Sequence, residues 1–389
     1  MAGLIRLNRR MSTSEVESLA KLRRLLAEGG PVQDLRLQDL DLTAVEPQLL
    51  AIDDFTGVVV LGGRMSDRLH RHLRLHGALV FPADTGVPFD AWRAHLYRPR
   101  ELYAGLRDGG YAATPDARTY RWSLDPQAEQ DVYSSLLRAI HDDCVGDALT
   151  EFVRGRTVVG VMGGHAVARG SAEYAAAAQL GHTLAATGAL VATGGGPGAM
   201  EAANLGALCV DPGLLAPALA RLATVPSFRP DITAWATVAF EVRDQVTSDT
   251  GVPRSLGIPT WFYGHEPPNA FGNRMAKYFS NAVREDVLLH VCNGGIIVLP
   301  GAAGTVQEIF QVATALYYAE GVPRVPPLVL VGTEHWQHDI PVWGALRALA
   351  AGRAMAGAIH LVDDVESACR TIGHLGEVQR SIDQSAGGG

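Results

Sequence analysis

Lysine is almost missing from this 389-residue chain: of its 33 basic residues only Lys21 and Lys277 are lysines. A Schiff-base enzyme needs a lysine amine for its pyridoxal phosphate or carbonyl intermediate, and neither lysine stands in a recognisable pyridoxal-phosphate context. The same scarcity removes any G-x-x-x-x-G-K-[ST] phosphate loop, and the glycine turns lack the G-x-G-x-x-G order of a dinucleotide fingerprint. Cysteine is scarce too. Cys144, Cys209, Cys292 and Cys369 are scattered without a C-x-x-C pair, which argues against a disulfide framework or zinc knuckle and suits a reducing cytoplasm. Long apolar runs are absent: Val58–Leu61 and Ile296–Leu299 are strand-sized, far below the roughly 20 residues of a membrane span. The opening MAGLIRLNRRM has arginines but no apolar core of signal-peptide length. A net charge of -8 gives no general attraction to a phosphate backbone. The expectation is a cytoplasmic protein with neither membrane nor nucleic acid as partner.

What is present is organised in two parts. In residues 1 to about 45, Val16, Leu19, Leu22 and Leu25 share one helical face. TGVVVLGG (56–63), a helical SDRLHRHLRLHG and ALVFP (78–82) then make a strand–helix–strand unit. A turn-rich stretch leads to a predicted helix from about Gln127 to Phe152, with Val132, Leu136, Leu137, Ile140 and Cys144 at helical spacing. Beyond Arg154 strands alternate with helices: TVVGVMGG (157–164), ALVATGGG (189–196), LGIPTWFYG (256–264), GGIIVLPG (294–301), PPLVLVG (326–332) and AIHLV (358–362). Near-continuous Val/Ile/Leu runs between helices predict a parallel sheet covered on both faces. The expected fold is α/β: residues 154–375 a Rossmann-like doubly wound domain, 1–153 a smaller regulatory or oligomerising α/β domain, and 376–389 a disordered tail.

Ligands of open parallel sheets sit beyond the carboxyl ends of the strands. Two turns there suit a phosphate, ATGGGPGAM (192–200) and LPGAAGTVQE (299–308). Their glycines let the backbone approach a ligand, and the N–H groups of the following helix point at an anion. Thr305 adds a hydroxyl and Glu308 a carboxylate one turn further in; Arg284 and Glu285 lie on the helix that leads into this strand and loop.

These segments, with HEPPNAF (265–271) and VREDVLLHVCNGGIIVLPGAAGTVQEIFQ (283–311), resemble the LOG family of nucleoside 5'-monophosphate phosphoribohydrolases, long mislabelled lysine decarboxylases, over about residues 156–372. The resemblance implies hydrolysis of a nucleotide's N-glycosidic bond to free base and ribose 5-phosphate, without cofactor or metal, in a homodimer or higher homo-oligomer. It implies that Gly301, Gly304 and Thr305 hold the 5'-phosphate and that Glu308 stands at the reacting C1'. Arg284 matches the arginine of the family's R-K-x-x-M segment; His265, Glu266 and Asn269 match its H-E-Q-x-x-N segment; Gly194, Gly195 and Gly196 with Met200 match its triple-glycine turn. Gly163, in the first glycine turn, joins the binding set. Departures stand at Glu285, Leu288 and Ala302, where the family has lysine, methionine and glycine, so Arg274 or Lys277, read on the same helix as Arg284, are alternatives to it.

Other readings stay open: a broad purine and pyrimidine nucleotide nucleosidase regulated through residues 1–150, or a nucleotide-binding carrier or sensor without turnover. The resemblance implies an AMP-like purine nucleotide or a cytokinin nucleotide as substrate. His165 either lines the pocket or is structural, and the VVVLGGR turn at Arg64 reads as packing ahead of an effector site. His72 and His76 are one helical turn apart, but with no third ligand evident they read as a solvated face and no metal is expected.

Overall fold

The computed structural model describes residues 15–247, 251–319 and 325–373; the tail expected at 376–389 lies outside them. The chain forms two compact units, one of residues up to His95 with Gln130–Val145, the other of Leu96–Glu129 with residues from Gly146 on.

The smaller unit holds a four-stranded parallel sheet of β1 (Glu15–Val16), β2 (Arg36–Gln38), β3 (Val59–Leu61) and β4 (Leu79–Phe81), in that order. Two strands were legible in advance, from the apolar runs that hold Val59–Leu61 and Leu79–Phe81; Glu15–Val16 and Arg36–Gln38 of β1 and β2 form no such run. The expected first helix is present as Leu19–Ala27, capped by Ser18. Of the helical residues read on one face, Leu137 and Cys144 are buried with Leu61 and Trp92, whereas Val132 and Leu136 are exposed. The Arg64 turn is tied to its neighbour by Arg64 N–H to Leu40 O at 2.9 Å and Leu42 N–H to Arg64 O at 2.8 Å.

The histidine pair departs from the solvated face predicted for it. His72 and His76 are half-buried, and with Asp53 they offer three potential ligand atoms within 4.8 Å of one another. The imidazoles meet backbone carbonyls, His72 Nε2 at Ile52 O and His76 Nδ1 at Asp53 O, both at 2.8 Å. Asp53 is distant in sequence from the helix that carries the histidines, so helical spacing alone did not reveal it.

The larger unit is built on a seven-stranded parallel sheet. Its strands are β5 (Val158–Met162), β6 (Leu190–Thr193), β7 (Ser255–Gly257), β8 (Arg274–Met275), β9 (Gly295–Val298), β10 (Leu328–Val331) and β11 (Ile359–Val362), in the order β11-β10-β9-β5-β6-β7-β8. β5, β6, β9 and β10 are buried along their whole lengths, as expected of continuous apolar runs covered on both faces. The strand order reverses between β5 and β9, making this the switch point where doubly wound sheets bind ligands. Both predicted glycine turns belong to this region, one following β6 and the other β9. Among the described residues no helix is long and apolar enough to cross a membrane.

Residues 96–129, read with the first domain, pack with the larger unit. Among the contacts that tie them there is that of Asp116, whose carboxylate is buried against Lys277 Nζ at 2.5 Å and accepts from Trp261 Nε1 at 3.0 Å. Nor do Arg274 and Lys277 lie on the helix of Arg284: Arg274 is on β8 and that helix begins only at Asn281.

Candidate functional site

Three turns meet at the switch point. Gly164 donates its N–H to Pro300 O at 3.3 Å and accepts from Ala199 N–H at 3.1 Å, so the ends of β5 and β9 are tied to the helix that follows β6. Gly163 makes this approach possible: a Cβ there would stand 3.0 Å from Leu299 Cβ and 3.1 Å from Ala199 Cβ. Gly198 is required for two reasons. It sits at φ +72°, where L side chains are strained, and a Cβ would stand 2.5 Å from Gly164 O.

The helix Ala199–Leu208 and the helix Ala303–Tyr317 begin at Gly198 and Ala302, neither of which gives a side-chain cap. The neighbouring helices Ala172–Ala186, Pro212–Leu222, Ile232–Val246 and Asn281–Val291 are capped by Ser171, Asp211, Asp231 and Ser280. First-turn N–H groups have no intrahelical acceptor, so the two helices after the glycine turns keep backbone donors that the others give to a side chain. Thr305 is buried in the first turn of Ala303–Tyr317, its hydroxyl packed over Gly301, where a Cβ would stand 2.2 Å from Oγ1. Gly304 is open, with nothing within 4 Å of a Cβ. His335, which the sequence reading did not single out, fixes the loop from the far side through Nε2 to Gly301 O at 3.0 Å.

Glu308 follows Thr305 by three residues, on the same helix face. Its carboxyl lies 3.8 Å from Arg284 Nη1. Burial pushes the carboxyl up to about 7, against the lowering effect of Arg284 and with Glu285 raising it further. Arg284 is itself buried, donating from Nη2 to Asn281 Oδ1 at 2.8 Å, while its Nε is buried without a hydrogen-bond partner.

Glu285, the departure from the family lysine, braces two helices. Its oxygens accept from Asn281 Nδ2 at 2.7 Å and Gln307 Nε2 at 2.6 Å. Asn281 and Gln307 were not recognised in sequence; the signal was their position, one turn before Glu285 and one residue before Glu308. Arg284, rather than Arg274 or Lys277, is therefore the basic residue beside Glu308.

The triple-glycine turn closes the other side. A Cβ on Gly194 would lie 2.8 Å from Met200 Sδ and 3.6 Å from Arg284 Nη1, and one on Gly196 would lie 2.9 Å from Met200 Cε and 3.9 Å from Glu266 Oε2. Glu266 lies 3.7 Å from His165 Nε2 and 3.9 Å from His265 Nε2, with both imidazoles half-exposed or more. His165 thus joins the rim with His265. Asn269 is fully buried and spends both amide hydrogens, on Gly196 O at 3.1 Å and Asn204 Oδ1 at 2.9 Å, while its backbone N–H donates to Gly195 O at 2.8 Å. Its geometry is that of a residue shaping the turn. The arrangement can grip an anion at uncapped helix starts and place a carboxyl and a guanidinium beside whatever that anion carries.

Residues 156–213, which run from β5 through the triple-glycine turn, match the model of the SLOG cluster4 family; the match stops short of the Glu308 loop. No curated protein matches the chain. Among solved structures, the molybdenum cofactor binding protein from the phototrophic bacterium Rippkaea orientalis is 15% identical, with a TM-score of 0.35, over 57% of this chain and 98% of that one. The molybdenum cofactor carrier protein MCP from Chlamydomonas reinhardtii is 20% identical, with a TM-score of 0.34, over the same shares.

Proposed function

We propose that the larger unit hydrolyses the N-glycosidic bond of a nucleoside 5'-monophosphate, giving free base and ribose 5-phosphate. The observation that carries this reading is Glu308: a mostly buried carboxyl titrating near neutrality, one turn along the helix from Thr305, with Arg284 beside it. Uncapped N–H groups and the Thr305 hydroxyl hold the 5'-phosphate, supplying binding energy that positions the sugar. As the C1'–N bond breaks, its electron pair leaves with the base and positive charge grows at C1' and the ring oxygen, as in other glycoside cleavages. Ionised Glu308 stabilises that charge and takes a proton from the attacking water. The water oxygen bonds to C1', and the proton ends on the departing base. Arg284 neutralises the substrate's phosphate or holds the base. Nothing in this scheme requires a metal.

The test is to incubate the protein with a panel of nucleoside 5'-monophosphates and measure free base. Binding without base release from any of them would overturn the enzyme reading in favour of a carrier or sensor. If Glu308 acts as the carboxylate, kcat/KM should climb as pH is raised through about 7 and fall away below it; a profile flat across that range would detach Glu308 from the chemistry. Thr305→Val should raise KM for monophosphates by about tenfold and leave the corresponding nucleosides little changed, since only the phosphate end loses a donor. An equal rise for both would show that Thr305 only packs the loop.

A further inference from the structure

A cationic cavity lies at the edge of the seven-stranded sheet, beside β8. It encloses about 330 Å³ and is lined by Arg98, Arg100, Arg243 and Arg274, with Asp244 the single acidic residue in its wall. β8 is separated from β5 by β6 and β7, so at roughly 4.8 Å per strand the cavity stands on the order of 14 Å from the switch point. None of its lining residues belongs to the Glu308 loop or the triple-glycine turn.

The charges there are poorly compensated from within. Arg100 pairs with Asp244 and lies over the Phe240 ring, 5.4 Å from its centroid. Arg98, Arg243 and Arg274 form no ion pair among the described residues. Arg243 is held in place by donating from Nη1 to Ala270 O and to Gly272 O, the latter at 2.9 Å, and Arg274 by donating to Asn273 O at 2.9 Å. Burial pushes Arg243 down to about 10, with the charge of Arg100 adding and that of Asp244 opposing, and lowers Arg274 with the charge of Arg98 adding. Glu101 offsets part of this at Arg274. Four guanidinium groups set against Asp244 and Glu101 leave an excess of two positive charges. Like charges gathered in a partly buried wall repel one another at a cost in free energy. A bound dianion would remove that cost, and guanidinium forks match the oxygens of a phosphoryl group in pairs.

We infer that this cavity binds a small ligand through a doubly charged phosphoryl group, at a site separate from the one proposed to hold substrate. The volume is near the lower end of small-molecule pockets, enough for a phosphate and a modest organic appendage.

The test is calorimetric titration of the full-length protein with inorganic pyrophosphate, comparing the parent, an Arg98→Gln/Arg274→Gln variant and Thr305→Val. The double variant should weaken binding at this site at least tenfold with its thermal transition unchanged, and Thr305→Val should leave it intact. If the double variant fails to fold, Arg100→Gln, whose side chain is more than half exposed, should weaken binding by threefold or more. Absence of millimolar binding by the parent would overturn the site. So would binding lost in Thr305→Val and kept in the arginine variants, which would assign all anion affinity to the switch point. The nucleosidase reading is judged separately, by base release from the monophosphate panel. Parallel titrations with inorganic phosphate and phenyl phosphate tell a free anion from an esterified one, and tighter binding of either supports the site.

Discussion

Glu308→Gln is expected to lower base release by at least about a thousandfold while nucleotide binding stays measurable, because the amide keeps the shape and loses the charge that the transition state needs. The same substitution should also change stability, and in the opposite direction. Glu308 binds its proton more tightly in the folded protein, near 7, than at its ordinary value of 4.5. As pH rises from 4.5 to 7 the unfolded chain loses this proton first, so the group's contribution turns against folding by about 3 kcal/mol and stays there above 7. The glutamine variant does not titrate. It should therefore resist urea better than the parent at pH 8, by up to about 3 kcal/mol, and the difference should vanish near pH 4.5. Arg284 keeps Asn281 and Glu285 as neighbours in the variant, so no guanidinium is stranded. Near-normal turnover would remove Glu308 from the mechanism. A variant less stable than the parent at pH 8 would mean that the Arg284 pair outweighs the desolvation of Glu308.

Asp116→Ala is expected to destabilise the larger unit by about 3–5 kcal/mol, the cost of breaking a buried ion pair from one side. In a unit of this size that is a fall in the thermal midpoint on the order of 10 °C. Asp116 and Lys277 are 1% and 0% exposed at their side chains. The carboxylate also accepts from Tyr111 OH at 2.8 Å and Trp261 Nε1 at 3.0 Å. Without it the Lys277 ammonium keeps, among the described residues, the face of Trp261, 5.0 Å from the ring centroid, and burial already pulls its pKa down. Asp116→Leu combined with Lys277→Met should recover most of the loss, since two apolar side chains leave no charge buried. A single-variant cost under about 1 kcal/mol would show that water reaches the pair. The prediction bears on architecture as well, because this contact joins residues 161 apart in sequence and holds the segment 96–129 to the larger unit.

Some of this was legible in the chain and some was not. Val158–Met162, Leu190–Thr193, Gly295–Val298 and Leu328–Val331 are unbroken apolar runs buried from end to end, so the parallel sheet and its two glycine turns could be read directly. The helix carrying Arg284 and Glu285 toward the Glu308 loop could be read as well, as the segment leading into the apolar run of β9. β1, β2 and β8 could not, because Glu15–Val16, Arg36–Gln38 and Arg274–Met275 form no apolar run, and of the strand read at 256–264 only the start belongs to β7, Ser255–Gly257. Arg274 and Lys277 were misplaced on a helix on that account, and Asp53 went unseen beside His72 and His76.

The sequence by itself determined the fold class and the chemical types at the switch point: glycines at the turns, a hydroxyl, a carboxylate, an arginine, and almost no lysine. Apolar periodicity and turn chemistry are local properties that act over a few residues. Only the tertiary structure decided which basic residue faces Glu308, that Glu285 serves as a brace, that Asn269 is consumed in shaping the turn, and that a lone buried lysine is neutralised from another segment. Those outcomes depend on burial and on contacts between residues far apart in the chain, and it is burial in the folded unit that moves the Glu308 carboxyl to about 7.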